Sequence, residues 1–342
     1  MEFRTVPGHQ HHGVRGAGAH GGGVPHAQNF PHRQPQAALP AQSAAPAPPP
    51  GDLSRRRAGR GCGGRKVSKA GAGLHISLIA LASLALFVLA GAAEAIIIRH
   101  DVNARRHEVR AAEFPAVFYL EQQGGDRICA ATVIHARWAI TAAHCVHETS
   151  LGRTLETGDD FGVSVGGGDR LIDTVVVHPG YDVNLTESTD LALLRFSDTS
   201  TAPVISLQTE PTELDQIAIL VGWGFFGWGT TGREFSDGKI RMAVNRITEA
   251  GDRLQMRFDD PRLPDSDALP MEGTPGLWDS GGPALLGGRG NYRLAGVAVG
   301  ELEGERFSEE TQGRYGAVAV YERISRHLDW IESVIYRLDS PD

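Results

Sequence analysis

A serine, a histidine and an aspartate in this sequence have the side-chain types and surroundings of a nucleophilic site. Ser280 lies in "GLWDSGGPALL", which runs from Gly276 to Leu286. A serine hydroxyl is a weak nucleophile until a base takes its proton, and that base is commonly a histidine oriented by a carboxylate. The segment alone is equally typical of a tight turn, because Asp, Ser, Gly and Pro are all turn residues. The function of Ser280 therefore depends on whether the chain supplies the partners.

His144 and Asp190 are the candidates for those partners. His144 follows an apolar run in "WAITAAHCVH", and Asp190 opens "DLALLRF". Each residue also has a plainer interpretation, as a hydrogen-bonded core histidine and as a turn residue at the end of a strand. A carboxylate beside an apolar strand is costly to bury unless something pairs with it. The two residues together favour a nucleophilic serine, histidine and aspartate set.

The chain consists of a basic leader and an acidic body. Of its 342 residues, 1–75 carry ten lysines and arginines against two acids, whereas the remainder carries 23 basic and 39 acidic residues. An acidic body repels phosphates, which argues against a nucleic-acid partner. The leader is dominated by Gly, Pro, Ala, His and Gln, which predicts disorder over residues 1–74 because too little apolar surface can be buried.

Residues 75–95 have the pattern of a secretory signal peptide. Basic residues precede an apolar run over 76–93, and "AEA", ending at Ala95, is a small-x-small cleavage pattern. The run of 18 residues is also just long enough for a signal anchor, so a membrane contact is expected only if 76–93 is retained. The cleavage pattern favours removal and hence a secreted or periplasmic protein. Because the apolar run begins so far into the chain, translation from Val67 is an alternative start.

Short apolar runs separated by turn residues predict an all-β fold for residues 96–342. Runs such as "AVFYL", "FGVSVG", "LALLRF" and "YRLAGVAVG" are rich in β-branched and aromatic residues. The end of the chain differs, since Leu328, Ile331, Ile335 and Leu338 are spaced by three and four and share one helix face. We therefore expect antiparallel barrels followed by a C-terminal helix.

These motifs together resemble the chymotrypsin/trypsin family of serine endopeptidases. The segments "TAAHC", "DLALLRF" and "DSGGP" are similar to the family's histidine, aspartate and serine motifs, in the same order and 46 and 90 residues apart. "HPGY" at 178–181, "GWG" at 222–224 and "YERISRHLDWI" at 321–331 are also similar to family segments. The resemblance covers about residues 96–338.

The resemblance implies two antiparallel six-stranded β-barrels with the site in the cleft between them. Ser280 would attack a peptide carbonyl, His144 would take and return a proton, and Asp190 would orient His144. A disulfide between Cys129 and Cys145 is also implied, with two buried free thiols as the alternative. This chemistry requires no metal and no organic cofactor. The expected partner is a protein or peptide substrate, and the protein is expected to be a monomer.

Trp278 is the main departure from the family pattern. It stands where the family has a glycine whose backbone N–H, with that of Ser280, forms the oxyanion hole. Tryptophan keeps this backbone N–H. If the position needs a positive φ, however, the Cβ of tryptophan is unfavourable there and the peptide can turn its N–H away. Losing one such donor lowers turnover by about 10²–10³. Ala298 also replaces a serine that usually supports the aspartate. The alternative function is therefore a non-catalytic binding module, since fold does not fix function.

Further matched positions concern specificity. Thr274, six residues before Ser280, is the expected floor of the substrate pocket, and its lack of charge argues against a preference for arginine or lysine. Gly300 is expected to keep one pocket wall open. Glu301 and Glu303 are close enough in sequence to supply an alternative pocket charge.

The last expectation concerns activation. In the family, a newly exposed N-terminal residue folds inward and pairs with the aspartate before the nucleophile, which is Asp279 here. Cleavage after Ala95 would expose Ile96 for that pairing, so that secretion itself would activate the enzyme. A second cut near Arg105-Arg106, which would leave His107 at the new N-terminus, is the alternative.

Overall fold

The computed structural model describes residues 96–302, 308 and 311–339. The chain divides into two units, Met1–Gly71 and Ala72–Asp342, and every described residue belongs to the second. The leader predicted over 1–74, the signal peptide or anchor predicted over 75–95 and Glu303 lie outside the described residues. Among the residues that are described, no helix is both long enough and apolar enough to cross a membrane.

Strands dominate the described chain, and its α-helices are short apart from the last. The strands are β1 (Ile96–Ile98), β2 (Val117–Gln123), β3 (Asp126–His135), β4 (Trp138–Thr141), β5 (Phe161–Val165), β6 (Gly168–Val177), β7 (Ala192–Phe196), β8 (Ser206–Leu207), β9 (Ile217–Gly222), β10 (Phe226–Trp228), β11 (Gly232–Phe235), β12 (Arg241–Arg246), β13 (Glu249–Ala250), β14 (Arg253–Arg257), β15 (Gly273–Thr274), β16 (Pro283–Leu286), β17 (Arg293–Glu301) and β18 (Val318–Arg323). The α-helices are α1 (His144–Glu148), α2 (Leu151–Glu156) and α3 (Leu328–Asp339), and short 3-10 helices span Ala104–Arg106, Ala111–Glu113 and Ile324–Arg326.

The first sheet is an antiparallel six-stranded sheet in the order β2-β3-β4-β7-β6-β5. Its first and last strands, β2 and β5, contact each other and close the sheet into a barrel. Every second side chain of β5 is buried, as expected of a strand with one face on the core. All four residues of β4 are buried, so this strand is covered on both faces.

The second sheet has the order β12-β9-β16-β17-β18-β14-β13. Its antiparallel strands β12, β9, β16, β17, β18 and β14 form the second barrel, whose end strands β12 and β14 contact each other. The short β8 adds to β17 in parallel. The predicted all-β fold of two six-stranded barrels is confirmed, and the runs "LALLRF" and "YRLAGVAVG" fall on β7 and β17.

A small third sheet has the order β11-β10-β1-β15 and was not predicted. β1 lies between β10, to which it is parallel, and β15, to which it is antiparallel, with Ile97 opposite Thr274. All three isoleucines of β1 are buried. The pairing joins residues far apart in sequence, so no local pattern in the three-residue strand could indicate it.

The predicted C-terminal helix is α3, and it packs on the core of the first barrel. Ile331 and Val334 are fully buried among residues of that core. The indole N–H of Trp138, on β4, donates to Oδ2 of Asp339 at 2.9 Å. The last helix therefore attaches the end of the chain to its first barrel.

The predicted disulfide is present. Cys129 on β3 is bonded to Cys145 on α1, with 5.9 Å between their Cα atoms. The bond fixes the short helix that begins at His144 to the central part of the first barrel.

We expect the paired substitution Cys129→Ser/Cys145→Ser to lower the free energy of unfolding by about 3 kcal/mol, because a short closed loop restricts the unfolded chain by about that amount. Urea denaturation followed by tryptophan fluorescence measures the difference. The control is the same comparison under reducing conditions, in which wild type and variant should converge. Equal stabilities under oxidising conditions would contradict the prediction.

Candidate active site

The register between β4 and β7 brings His144 and Asp190 together. Thr141 pairs with Ala192, so the residues just beyond these strand ends are neighbours. His144 Nδ1 lies 2.5 Å from Asp190 Oδ2, and the backbone N–H of His144 donates to Asp190 Oδ1 at 2.9 Å. Two hydrogen bonds from one residue fix both the position and the orientation of the imidazole ring.

Asp190 also controls the protonation of His144. Burial lowers the pKa of His144, but the hydrogen bond and the negative charge of Asp190, with a smaller contribution from Glu148, raise it above its usual 6.5. The hydrogen bond at Nδ1 favours the tautomer that carries its proton there, which leaves Nε2 as the acceptor. An imidazole with a raised pKa and an acceptor nitrogen has the properties that a general base requires.

A partly buried ion pair behind Asp190 was missed by the sequence analysis. The backbone N–H of Asp190 donates to Glu322 Oε1 at 3.1 Å, and Arg253 donates to the same oxygen at 2.8 Å. Arg253 also donates to the carbonyl oxygens of Thr186 at 2.8 Å and Ser188 at 2.5 Å. The pair therefore holds the segment that leads into Asp190 against the second barrel.

This ion pair supports the backbone of Asp190 and not its carboxylate. The side chain of Ala298 has no polar atom for Asp190, as the sequence indicated. Glu322 lies within "YERISRHLDWI", where an acid beside an apolar residue of a predicted strand was the available signal. What the sequence could not indicate was its partner, because Arg253 lies on a different strand, opposite Glu322 in the β14–β18 register.

The turn that carries Ser280 is held against β3. The backbone N–H of Ala130 donates to the Ser280 carbonyl at 2.7 Å, and that of Cys129 donates to the Trp278 carbonyl at 3.1 Å. Gly281 has a φ of 78°, and a Cβ there would lie 2.1 Å from the Ala130 carbonyl oxygen. Only glycine fits between the turn and the strand.

Two backbone N–H groups of the serine turn have no acceptor among the described residues. The N–H groups of Trp278 and Ser280 donate to none of the described residues, whereas both carbonyls are bonded to β3. Trp278 has a φ of 74°, in the left-handed region that glycine adopts without strain. The Ser280 hydroxyl also has no hydrogen bond within the described chain, and such bonds are often long in free enzymes.

The disulfide brings the serine turn and His144 into one region. Cys129 is bonded to the turn, and Cys145 follows His144 directly. The two sulfur atoms and a ring nitrogen of His144 lie within 4.8 Å of one another. Metal binding requires thiolates, and these sulfur atoms are bonded to each other instead.

The predicted pocket residues surround a single cavity. Thr274, Trp278, Ser280 and Gly300 line a space of about 50 Å³, together with Glu301. A Cβ built at Gly300 meets nothing within 4 Å, so this wall is open. The structure thus places the expected pocket floor and wall next to the candidate nucleophile.

Ile96 and Asp279 line a second, smaller cavity of about 10 Å³. The Asp279 carboxylate accepts hydrogen bonds from the backbone N–H groups of Gly224 at 2.7 Å and Gly276 at 2.8 Å. Burial nevertheless raises the pKa of Asp279 to about 6, against the lowering effect of these bonds and of Arg241. The carboxylate therefore lacks a close positive partner strong enough to offset its burial.

We expect Trp278→Gly to be more stable than Trp278→Ala by about 1 kcal/mol. Both variants lose the contact of the indole with the Phe225 ring, whose centroid is 4.9 Å away, but only glycine relieves the positive φ. Thermal unfolding of the two variants measures the difference. Leu277 provides the matched control because its φ is not positive, so there the glycine variant should be the less stable. If Trp278→Ala were at least as stable as Trp278→Gly, the backbone at position 278 would not be strained.

Comparison with known proteins agrees with this architecture. The family model described as Trypsin matches residues 104–331. Trypsin-1 of Astacus astacus is 26% identical over 60% of this chain and 86% of its own length. An uncharacterized peptidase of Corynebacterium glutamicum is 28% identical over 60% of this chain and 64% of its own length. CLIP domain-containing serine protease B4 of Anopheles gambiae is 26% identical over 61% and 62%. The chain thus spans less than two thirds of the length of the Corynebacterium and Anopheles proteins.

Solved structures show the same fold. Mouse neuropsin, a serine protease expressed in the limbic system of the brain, matches with a TM-score of 0.50 and 19% identity, over 67% of this chain and 98% of its own. Because the family model covers more than half of the sequence, the chain belongs to the trypsin family.

Proposed function

We propose that this protein is a serine endopeptidase in which Ser280 is the nucleophile, His144 the base and Asp190 the residue that orients it. The observation that carries the proposal is the doubly hydrogen-bonded His144–Asp190 pair, held beside the serine turn by the Cys129–Cys145 disulfide. A histidine with a purely structural role has no need of a raised pKa. It also has no need of an Nε2 that remains available as a hydrogen-bond acceptor.

The proposed reaction has two steps. Ser280 Oγ attacks the carbonyl carbon of the substrate while His144 Nε2 takes the hydroxyl proton, and the amine leaves with that proton as the peptide C–N bond breaks. A water molecule then gives its proton to His144 and attacks the ester carbon, which releases the acid product and restores the Ser280 hydroxyl. Asp190 stabilises the imidazolium in both steps.

The oxyanion of each tetrahedral intermediate would be bound by the N–H groups of Trp278 and Ser280. Their lack of an acceptor in the described chain and the positive φ of Trp278 support this role. The donor is backbone, so the bulky side chain at this position does not remove it. Donors that are fixed before the reaction cost no reorganisation when charge develops.

The substrate and the location follow from the same chemistry. A Ser–His–Asp site of this kind would act on a protein or peptide chain, and a single protomer contains every proposed residue, so a monomer suffices. A disulfide persists in oxidising compartments, which supports action outside the cytoplasm, in the periplasm or as a secreted protein.

We expect a fluorophosphonate probe to label the protein at Ser280, and the variant Ser280→Ala to lose both the label and peptide hydrolysis. Mass spectrometry of the labelled peptide identifies the residue. Ser188→Ala is the matched control, because Ser188 is a surface serine close to Asp190 whose side chain bonds only to local carbonyls.

The rate of labelling provides a second readout. His144 must be neutral to act as a base, and Asp190 raises its pKa, so the rate should increase with pH with a midpoint above 6.5. Label that persists in Ser280→Ala would exclude the assignment. A protein that takes up no label at any pH would favour the non-catalytic binding module.

Activation by a free Ile96 is the second part of the proposal. Ile96 is buried and shares a cavity with Asp279, whereas a cut near Arg105-Arg106 would expose His107, whose ring is fully buried and bonded to the Met242 carbonyl. Because the pKa of Asp279 is raised to about 6, the folded state holds its proton more tightly, and stability falls as pH rises from the usual 3.8 through 6. The ammonium of a free Ile96 would oppose that loss.

We expect protein whose first residue is Ile96 to be at least about 100-fold more active at pH 8 than the same protein with a methionine added before it. Losing one partner of a buried ion pair costs about 3–5 kcal/mol. Asp279→Asn should reduce activity to the same extent in the Ile96 form and have little further effect in the methionine form. Equal activities of the two N-terminal forms would reject the mechanism.

A further inference from the structure

The cavity beside Ser280 contains a carboxylate that the proposed reaction does not use. Glu301, the last residue of β17, lines it together with Thr274, Gly300 and Gln312. Glu301 Oε2 accepts a hydrogen bond from the backbone N–H of Gly313 at 2.9 Å. The hydrogen bond fixes the Glu301 carboxylate on the wall of the cavity. Thr274, on the floor, carries no charge.

Among the described residues that line the cavity, none carries a positive charge to balance this carboxylate. Every other described residue that lines the cavity is uncharged. On the neighbouring strand β18 the residue opposite Glu301 is Ala319. Two described arginines lie near this wall: Arg314, which follows Gly313 and donates to the Thr231 carbonyl at 3.1 Å, and Arg233, which donates to the side-chain oxygen of Gln312 at 3.2 Å. Burial raises the pKa of Glu301 to about 7, and only the Gly313 N–H acts against it.

A second polar group in the same cavity is also unsatisfied. Thr274 is 1% exposed, and its hydroxyl has no hydrogen-bond partner among the described residues. Buried polar groups without partners are rare and call for an explanation. A carboxylate and a hydroxyl that share one cavity fit a ligand that carries a positive charge and hydrogen-bond donors.

We infer that Glu301 selects peptide substrates with a basic side chain, lysine in particular, at the residue whose carbonyl Ser280 attacks. The inference rests on the proposed peptidase function and names its substrate. The charge comes from the wall of the pocket and not from its floor, so the lack of an acid at Thr274 does not exclude a basic preference.

The size of the cavity favours lysine over arginine. A cavity needs roughly 10–15 Å³ of accessible volume to hold one water-sized group. The cavity beside Ser280 has about 50 Å³. That space suits a single unbranched row of atoms ending in an ammonium group better than the planar fork of a guanidinium. An ammonium group can also donate to Glu301 and Thr274 together.

The preference should depend on pH. Glu301 is charged above its pKa of about 7 and neutral below it, so the selection of lysine should be present at alkaline pH and lost in acid. Titration of His144 changes the cleavage of all substrates alike. A ratio of two substrates therefore isolates the contribution of Glu301.

The experiment compares kcat/KM for two peptides that differ only in lysine or norleucine at the attacked residue, with an arginine peptide as a third. For protein produced from the full chain we expect lysine to exceed norleucine at least tenfold at pH 8.5, and the ratio to approach one at pH 5.5. Glu301→Gln should lower the ratio to near one at both pH values while fluorophosphonate labelling is retained. Glu234→Gln removes an exposed carboxylate on β11 and should leave the ratio unchanged.

The outcomes separate this inference from the proposed function. Labelled wild type that cleaves the norleucine peptide as well as the lysine peptide at pH 8.5 would overturn the inference alone. A lysine preference that survives in labelled Glu301→Gln would do the same. Wild type that neither labels nor cleaves would overturn both.

Discussion

The burial of the Asp279 carboxylate is the constraint on which the geometry of the serine turn depends. Backbone N–H groups of Gly224 and Gly276 bind it from two sides, and a Cβ at Gly222 would lie 1.9 Å from its Oδ1. With the carboxylate drawn inward, the residues on either side face outward. Trp278 has a φ of 74° and Ser280 lines the cavity, so the buried carboxylate lies between the strained residue and the proposed nucleophile.

Sequence motifs predicted the local parts of the site and missed the parts made by distant residues. Short-range periodicity was enough to predict the strands β7 and β17 and the buried face of α3. The residues next to His144 and Asp190 were enough to identify these two as candidates. The Arg253–Glu322 pair depends on which strands are neighbours in the second barrel. The insertion of β1 between β10 and β15 likewise depends on tertiary contacts, which no window of sequence contains.

The hydrogen bonds that support the site are divided between the two barrels. Asp190 and His144 belong to the first barrel, yet the acid that holds the Asp190 backbone lies on β18 of the second. Conversely, the serine turn precedes β16 of the second barrel but is bonded to β3 of the first. Each barrel therefore supplies part of what positions the other's residue, and a shift of one barrel against the other would disturb both the base and the nucleophile.

The attachment of α3 to the first barrel has a consequence for how the protein is made. Ile331 and Val334 are buried in the hydrophobic cluster that contains most of the first barrel's core, and Asp339 accepts a hydrogen bond from Trp138. During synthesis the first barrel leaves the ribosome well before these residues are added, so it must wait with an incomplete core. Contacts between such distant parts of the chain also slow folding because a long loop must be closed first. The domain can reach its native state only as a whole, after the last helix has emerged.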